Sequence, residues 1–103
     1  MKYKIFFLNR VNDFISKIPE NDRAKINAAR VTMESGDFES LEIKTLKTPI
    51  KELIIKRYRL LFFINKDLIY FVNAFMKKTQ KTPKNEIIIS EKLFRDIVEF
   101  YKN

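Results

Sequence analysis

Cysteine and histidine are both absent from this 103-residue chain. Without thiols there is no disulfide framework and no thiolate chemistry. Without imidazole there are no zinc sites of the usual kind, no histidine-based triads, and no side chain whose ordinary pKa lies near neutrality. Any catalysis must therefore use Lys, Arg, Tyr, Asp or Glu. Glycine is reduced to a single residue, Gly36, placed where a left-handed helix cap would need one. Long hydrophobic runs are also missing. The apolar stretch after Met1-Lys2-Tyr3-Lys4 is only Ile5-Phe6-Phe7-Leu8, too short for a secretory signal, and no run approaches a membrane span. The expectation is a cytoplasmic protein with no membrane partner. No repeat, low-complexity tract or linker interrupts the chain, so residues 1–103 are read as one domain.

What is present is apolar material and positive charge. An apolar fraction of 46% with 14% aromatics is that of a globular chain and excludes a disordered one. The formal charge is +8, and it is regional. Residues 1–40 hold seven basic and six acidic side chains, and residues 85–103 hold three and four. Residues 41–84 hold eleven basic side chains against Glu42, Glu52 and Asp67, so this segment alone nets +8. Such an excess on strands and their turns suggests one positive face, suited to nucleic acid or an acidic protein segment. A solubilising lysine-rich surface is the alternative.

The pattern of apolar residues orders the elements. Lys4 to Leu8 reads as a strand. Val11, Phe14, Ile15 and Ile18 recur at helical spacing up to Pro19, which disfavours helix at the residue before it. A second helix follows, opening on Glu20-Asn21-Asp22, where acids suit the dipole, and running through Ile26, Ala29 and Met33 to Gly36. From Leu41 the texture is strand: Leu41-Glu42-Ile43-Lys44, Glu52 to Ile55, Arg59 to Ile64 and Leu68 to Val72. Lys56-Arg57 and Asn65-Lys66-Asp67 are the expected turns. The last two runs are apolar at both parities, which implies cover on both faces. Thr82-Pro83 reads as the entrance to a final helix, with Thr82 as its cap. That helix carries Ile87, Phe94, Ile97, Val98 and Tyr101 as a stripe widened by Leu93 and Phe100, with Tyr101 assigned to the core. The expected fold is α+β: an antiparallel sheet of about four strands in the order β, α, α, three or four β, α, with the two early helices on one face.

Three segments carry more than pattern: Leu46-Lys47-Thr48-Pro49-Ile50-Lys51-Glu52-Leu53, Tyr58-Arg59-Leu60-Leu61-Phe62-Phe63, and Phe75-Met76-Lys77-Lys78-Thr79-Gln80-Lys81-Thr82-Pro83 with Glu86 following. In this order and spacing the chain resembles the RelE/ParE superfamily of bacterial toxins, specifically its HigB-like, phage-derived branch. In that branch a Glu-Leu-Arg strand, a Tyr-Arg strand and a Phe-x-Lys-Lys-Thr-x-Lys-Thr-Pro segment recur. Two positions depart from the pattern. Ile54 stands where the branch has the arginine of Glu-Leu-Arg, and Asn73-Ala74 stands where a His-Gly pair is common. If that arginine binds phosphate, Arg57 or Lys56 on the adjacent turn would have to replace it.

The resemblance implies the toxin of a type II pair, a ribosome-dependent mRNA endonuclease neutralised by a cognate antitoxin, expected as a small helix-turn-helix protein. Cleavage by 2′-hydroxyl attack on the adjacent phosphate calls for no cofactor or metal; it needs a proton acceptor, cations on the phosphorane and an acid for the leaving 5′ oxygen. Arg59 would bind the phosphate with its planar fork. Lys77 and Lys78 would add charge, and an amine crowded by like charges gives up its proton more readily, so one lysine could act as base. Arg59, Lys77 and Lys78 are thus the candidate catalytic residues, with Lys56, Arg57, Asn73 and Lys81 as candidate RNA contacts. Strict alternation would place Ile69, Phe71, Asn73, Phe75 and Lys77 on one face and Tyr70, Val72, Ala74, Met76 and Lys78 on the other, favouring Lys77. Arg59 could instead pair with Glu52, Lys77 and Lys78 could be gatekeepers, Tyr58 and Tyr70 are read as packing residues, and Glu52 and Glu86 as turn or capping residues. Two further functions fit the same resemblance: a non-enzymatic inhibitor of gyrase, as ParE-like members are, or an inactive relative that only binds its antitoxin.

Overall fold

Two apolar surfaces on one sheet decide the architecture. The computed structural model describes residues 2–78 and 81–102; Thr79 and Gln80, central to the lysine-rich segment, lie outside the described residues. The elements are β1 (Lys4–Phe7), α1 (Asn9–Ser16), α2 (Glu20–Glu34), β2 (Ile43–Lys47), β3 (Ile50–Ile55), β4 (Tyr58–Asn65), β5 (Leu68–Met76) and α3 (Lys84–Lys102). The expected order holds, with the optional fourth late strand present. The sheet runs β1-β5-β4-β3-β2. β2 to β5 form an antiparallel meander, whereas β1 lies parallel to β5, with Lys4 aligned to Leu68 and Phe7 to Phe71. The sheet is therefore mixed rather than wholly antiparallel. Short turns can only produce antiparallel neighbours, but α1, α2 and β2 to β4 all lie between β1 and β5, a connection long enough to admit a parallel pairing.

Val11, Ile18, Ile26, Ala29 and Met33 from α1, α2 and the connection between them pack against Leu53, Tyr58, Leu60, Phe62, Ile69 and Phe71 on one face. On the other face Ile50, Leu61, Phe63, Tyr70 and Val72 meet Leu93, Phe94, Ile97 and Val98 of α3. The double cover explains why β4 and β5 are apolar at both parities. Phe63 and Phe94 meet edge to face at 4.8 Å between ring centroids. Tyr58 and Tyr70 are packed, each 5% exposed. Tyr101 is not in the core: it is 64% exposed near the end of α3, and its ring meets those of Tyr70 and Phe100.

Gly36 has φ +85° and its N–H donates to the Met33 carbonyl at 2.9 Å, closing α2 as a left-handed cap. Of the three two-residue hairpin turns, those after β3 and β4 each place a lysine in the left-handed region, Lys56 at φ 55° and Lys66 at φ 61°. The Thr48–Pro49 peptide bond, between β2 and β3, is cis. α3 begins at Lys84, and the Thr82 hydroxyl donates to Glu52 Oε2. The Pro83 carbonyl accepts the Glu86 N–H at 3.0 Å, and no hydrogen bond among the described residues uses the Thr82 oxygen as the cap acceptor that the sequence suggests. Among the described residues no helix is long and apolar enough to cross a membrane.

Candidate functional site

The site candidates gather at one end of the sheet, where the β3–β4 turn meets the end of β5. The Lys77 N–H donates to the Arg57 carbonyl at 2.7 Å, prolonging the β4–β5 ladder past Tyr58–Met76 and Arg59–Phe75. This bond brings the turn cations beside the post-strand lysines. Arg57, Lys78 and Lys81 are exposed and Lys77 is half-buried.

Strict alternation fails in β5. Leu61 pairs with Asn73 while Phe62 pairs with Phe71, so Val72 is an extra, bulged residue. Ile69, Phe71 and Ala74 consequently face α1 and α2, and Tyr70, Val72 and Phe75 face α3. Asn73 stays with Phe75 on the α3 side because the bulge precedes it. Ile54, Arg59 and Phe75 are aligned across three strands, so the position that carries an arginine in the resembling branch adjoins Arg59 and is here apolar.

Arg59 is largely enclosed, its side chain 13% exposed, and its Nη1 donates to the carbonyls of Lys56 and Tyr58, both at 2.9 Å. Its Nε lies 4.0 Å from Oε1 of Glu52, an ion pair too long to be a hydrogen bond, and Nε is buried with no hydrogen-bond partner among the described residues. Glu52 is 1% exposed. Its assignment to a turn or cap is wrong. It sits in mid-strand, aligned with Leu61 and Asn73 and turned toward α3. A burial signal was available, since Glu52 is the one acid inside Ile50-Lys51-Glu52-Leu53-Ile54-Ile55.

Two expected RNA contacts are engaged elsewhere. Asn73 is 2% exposed; its Nδ2 donates to Glu86 Oε1 at 3.0 Å, and its Oδ1 accepts from the Ala74 N–H at 3.0 Å. It is an internal strut between β5 and α3, because the bulge turns it inward beneath the helix. Lys56 reaches to the opposite face and donates to Asp22 Oδ1 at 2.7 Å, while the Tyr58 hydroxyl donates to Asp22 Oδ2 at 2.6 Å. Lys56 therefore does not take the place of the missing arginine, and Arg57 is the remaining turn cation.

Nothing in the sequence pattern marks Asp22 as more than a first-turn acid of α2, yet it is buried at 6% exposure. The bond from Lys56, then that from Tyr58, holds its carboxyl below the usual carboxylate range. In return, the bond to Asp22 and burial push the Tyr58 phenol up. Asp22, Lys56, Arg57, Tyr58 and Met76 line a cavity of about 290 Å³ on this side of the hairpin.

This mixed five-stranded sheet, with two helices on one face and a third on the other, is similar in fold to solved RelE proteins. The archaeal RelE–RelB complex from Pyrococcus horikoshii OT3 matches with a TM-score of 0.67 at 13% identity over 79% of this chain and 100% of that one. The RelB–RelE antitoxin–toxin complex from Methanococcus jannaschii gives 0.60 at 18% over 69% and 88%. The isolated E. coli RelE toxin gives 0.59 at 16% over 90% and 97%. No curated protein matches the chain. The chain belongs to the family described as Phage derived protein Gp49-like (DUF891), whose model matches residues 13–95. The expected phage-derived family holds, and the fold is shared with solved RelE proteins.

Proposed function

We propose that this chain is the toxin of a type II toxin–antitoxin pair and a ribosome-dependent mRNA endonuclease that inhibits translation in the cytoplasm. The carrying observation is the meeting of Arg57, Arg59 and Lys77 at one sheet end through the Lys77–Arg57 backbone bond, in a chain whose fold is shared with RelE proteins solved with RelB partners. In the proposed reaction the 2′ oxygen loses its proton to Lys77 or Lys78 and attacks the adjacent phosphorus. Arg59 and Arg57 hold the phosphorane oxygens, and the 5′ oxygen leaves with a proton from a second lysine. A 2′,3′-cyclic phosphate and a 5′ hydroxyl result. Lys81 extends the positive surface toward the message, and charge concentrated at such a site is where electrostatic stabilisation acts. The partner is a small helix-turn-helix antitoxin bound to this basic face, with an affinity that falls as salt rises; an affinity unchanged by salt would place it on the apolar helices instead.

A second reading, a chain that cleaves no RNA and either inhibits gyrase or only binds its antitoxin, has one observation in its favour: Arg59 is enclosed and paired with Glu52, as a purely structural arginine would be. The two separate on inducible expression in a bacterial host with 5′ ends mapped on translated messages. Cleavage within codons, lost with Arg59→Ala or Lys77→Ala while the variants stay folded, supports the endonuclease. Arrest with intact messages and double-strand DNA breaks indicates gyrase inhibition, and no arrest leaves an antitoxin-binding relative.

A further inference from the structure

The Glu52 carboxylate is the most deeply buried charged group of the α3 face, and it is surrounded by the site. One oxygen accepts from Thr82, which lies between the lysine segment and α3; the other faces Arg59 Nε at 4.0 Å. A carboxylate with 1% exposure survives only with a counter-charge and donors, so Glu52 and Arg59 constrain each other. Arg59 is gripped on two sides: Nη1 by the Lys56 and Tyr58 carbonyls, Nε by the field of Glu52. No hydrogen bond to a described residue uses Nη2, so this is the edge left to meet an anion. The pairing also answers why an enclosed arginine lacks a bond at Nε. The Glu52 side chain, drawn to Thr82, stops short of contact.

We propose that Glu52 is a positioning residue: it fixes the plane of the Arg59 guanidinium so that Nη2 is presented to an RNA phosphodiester, and through Thr82 it ties that presentation to the segment leading into α3. The proposal rests on the reading of this end of the sheet as an RNA site, though not on cleavage itself. Glu52→Gln keeps the shape and removes the charge. Thr82→Val keeps the bulk and removes the donor. Freed from Glu52, the guanidinium samples several planes, and the well-formed phosphate contact is lost while the bulk positive charge of the face remains.

The test is a titration of the full chain with a short RNA in which one 2′-hydroxyl is replaced by hydrogen, so that it binds without reacting. It is followed by nitrogen-15 NMR of the arginine Nε–H groups and by the dissociation constant. The expected result has three parts. The Arg59 Nε–H signal is slowly exchanging in the unmodified chain and moves on adding RNA. In Glu52→Gln it becomes averaged and binding weakens at least tenfold, with a smaller loss for Thr82→Val. On an Arg59→Ala background Glu52→Gln adds no further loss, which a merely structural Glu52 could not produce. The inference is overturned if folded Glu52→Gln or, should that variant not fold, Thr82→Val binds RNA with unchanged affinity, if the Glu52→Gln loss persists on the Arg59→Ala background, or if Arg59 Nε–H does not respond to RNA. A chain that binds the analogue through Arg59 yet cleaves no message would sustain this inference and refute the endonuclease.

Discussion

At the residue scale, the groups that matter most are those whose burial contradicts their type. Asp22, Glu52 and Asn73 are all nearly inaccessible, and each is held by partners outside its own element: Lys56 and Tyr58, Arg59 and Thr82, Glu86. Such pairings depend on which elements become neighbours, so local pattern left the partners of Asp22 and Asn73 hidden and showed the carboxylate partner of Arg59 only as an alternative. For Asp22 a titration follows. Because its folded pKa is depressed, its contribution to stability is complete above the unfolded value of about 3.9 and disappears as pH falls through the lower folded value. Tyr58 acts at the other end. Its raised folded pKa means a contribution complete below about 10 and lost as pH rises through the folded value. The stability gap between the native chain and Asp22→Asn should thus be open at neutral pH and close in acid, measured by urea melts across pH. A gap of constant size at all pH values would rule out the carboxylate's role. Gly36 offers a simpler test. A Cβ there would meet Lys2 Cδ at 2.8 Å, the flexible end of a side chain that can move. The penalty for Gly36→Ala is therefore conformational, about 1–2 kcal/mol for an L-residue at left-handed φ, read as a lower denaturation midpoint at constant slope.

At the scale of elements, helical spacing and strand texture located all three helices and the β3 to β5 meander, because each amphipathic period reports directly on what one face buries. What escaped was the bulge at Val72. An extra residue in a strand that is apolar at both parities leaves the hydrophobic pattern unchanged, so alternation cannot detect it. The structure registers it only in pairing, and with it the inward turn of Asn73. The end of α3 escaped for a related reason: helical spacing says which residues share a face, not how deeply each is covered, and Tyr101 stays 64% exposed. The α3 interface itself should be strong. Phe63, fully buried against Phe94, supplies its centre, and Phe63→Ala is expected to cost about 3–5 kcal/mol in chemical denaturation. A loss below about 1 kcal/mol, the scale of volume-conserving swaps, would mean that α3 is not the cover for this face.

At the scale of the whole molecule, regional charge and family motifs gave the location of the positive end but not which cations stand free there. Lys56 and Arg57 are adjacent in sequence and part company in space, one bound to Asp22 across the α2 side and one exposed. The parallel neighbour of β5 was equally hidden, since a short strand at the start of the chain carries no mark of its partner. That placement of β1 also dictates an order of assembly. Every other strand pair is closed by a short hairpin, whereas Lys4 must find Leu68, and the chain entropy of so large a closure is repaid only once β5 exists to receive it. The meander should therefore form first, with β1 locking on after the rate-limiting step. A conservative truncation in β1, Ile5→Val, should then accelerate unfolding and leave refolding nearly unchanged, whereas Leu60→Ala in β4 should slow refolding; a stopped-flow chevron of each variant measures both limbs. Of these five strands, the earliest to be synthesised would be the last to take its place.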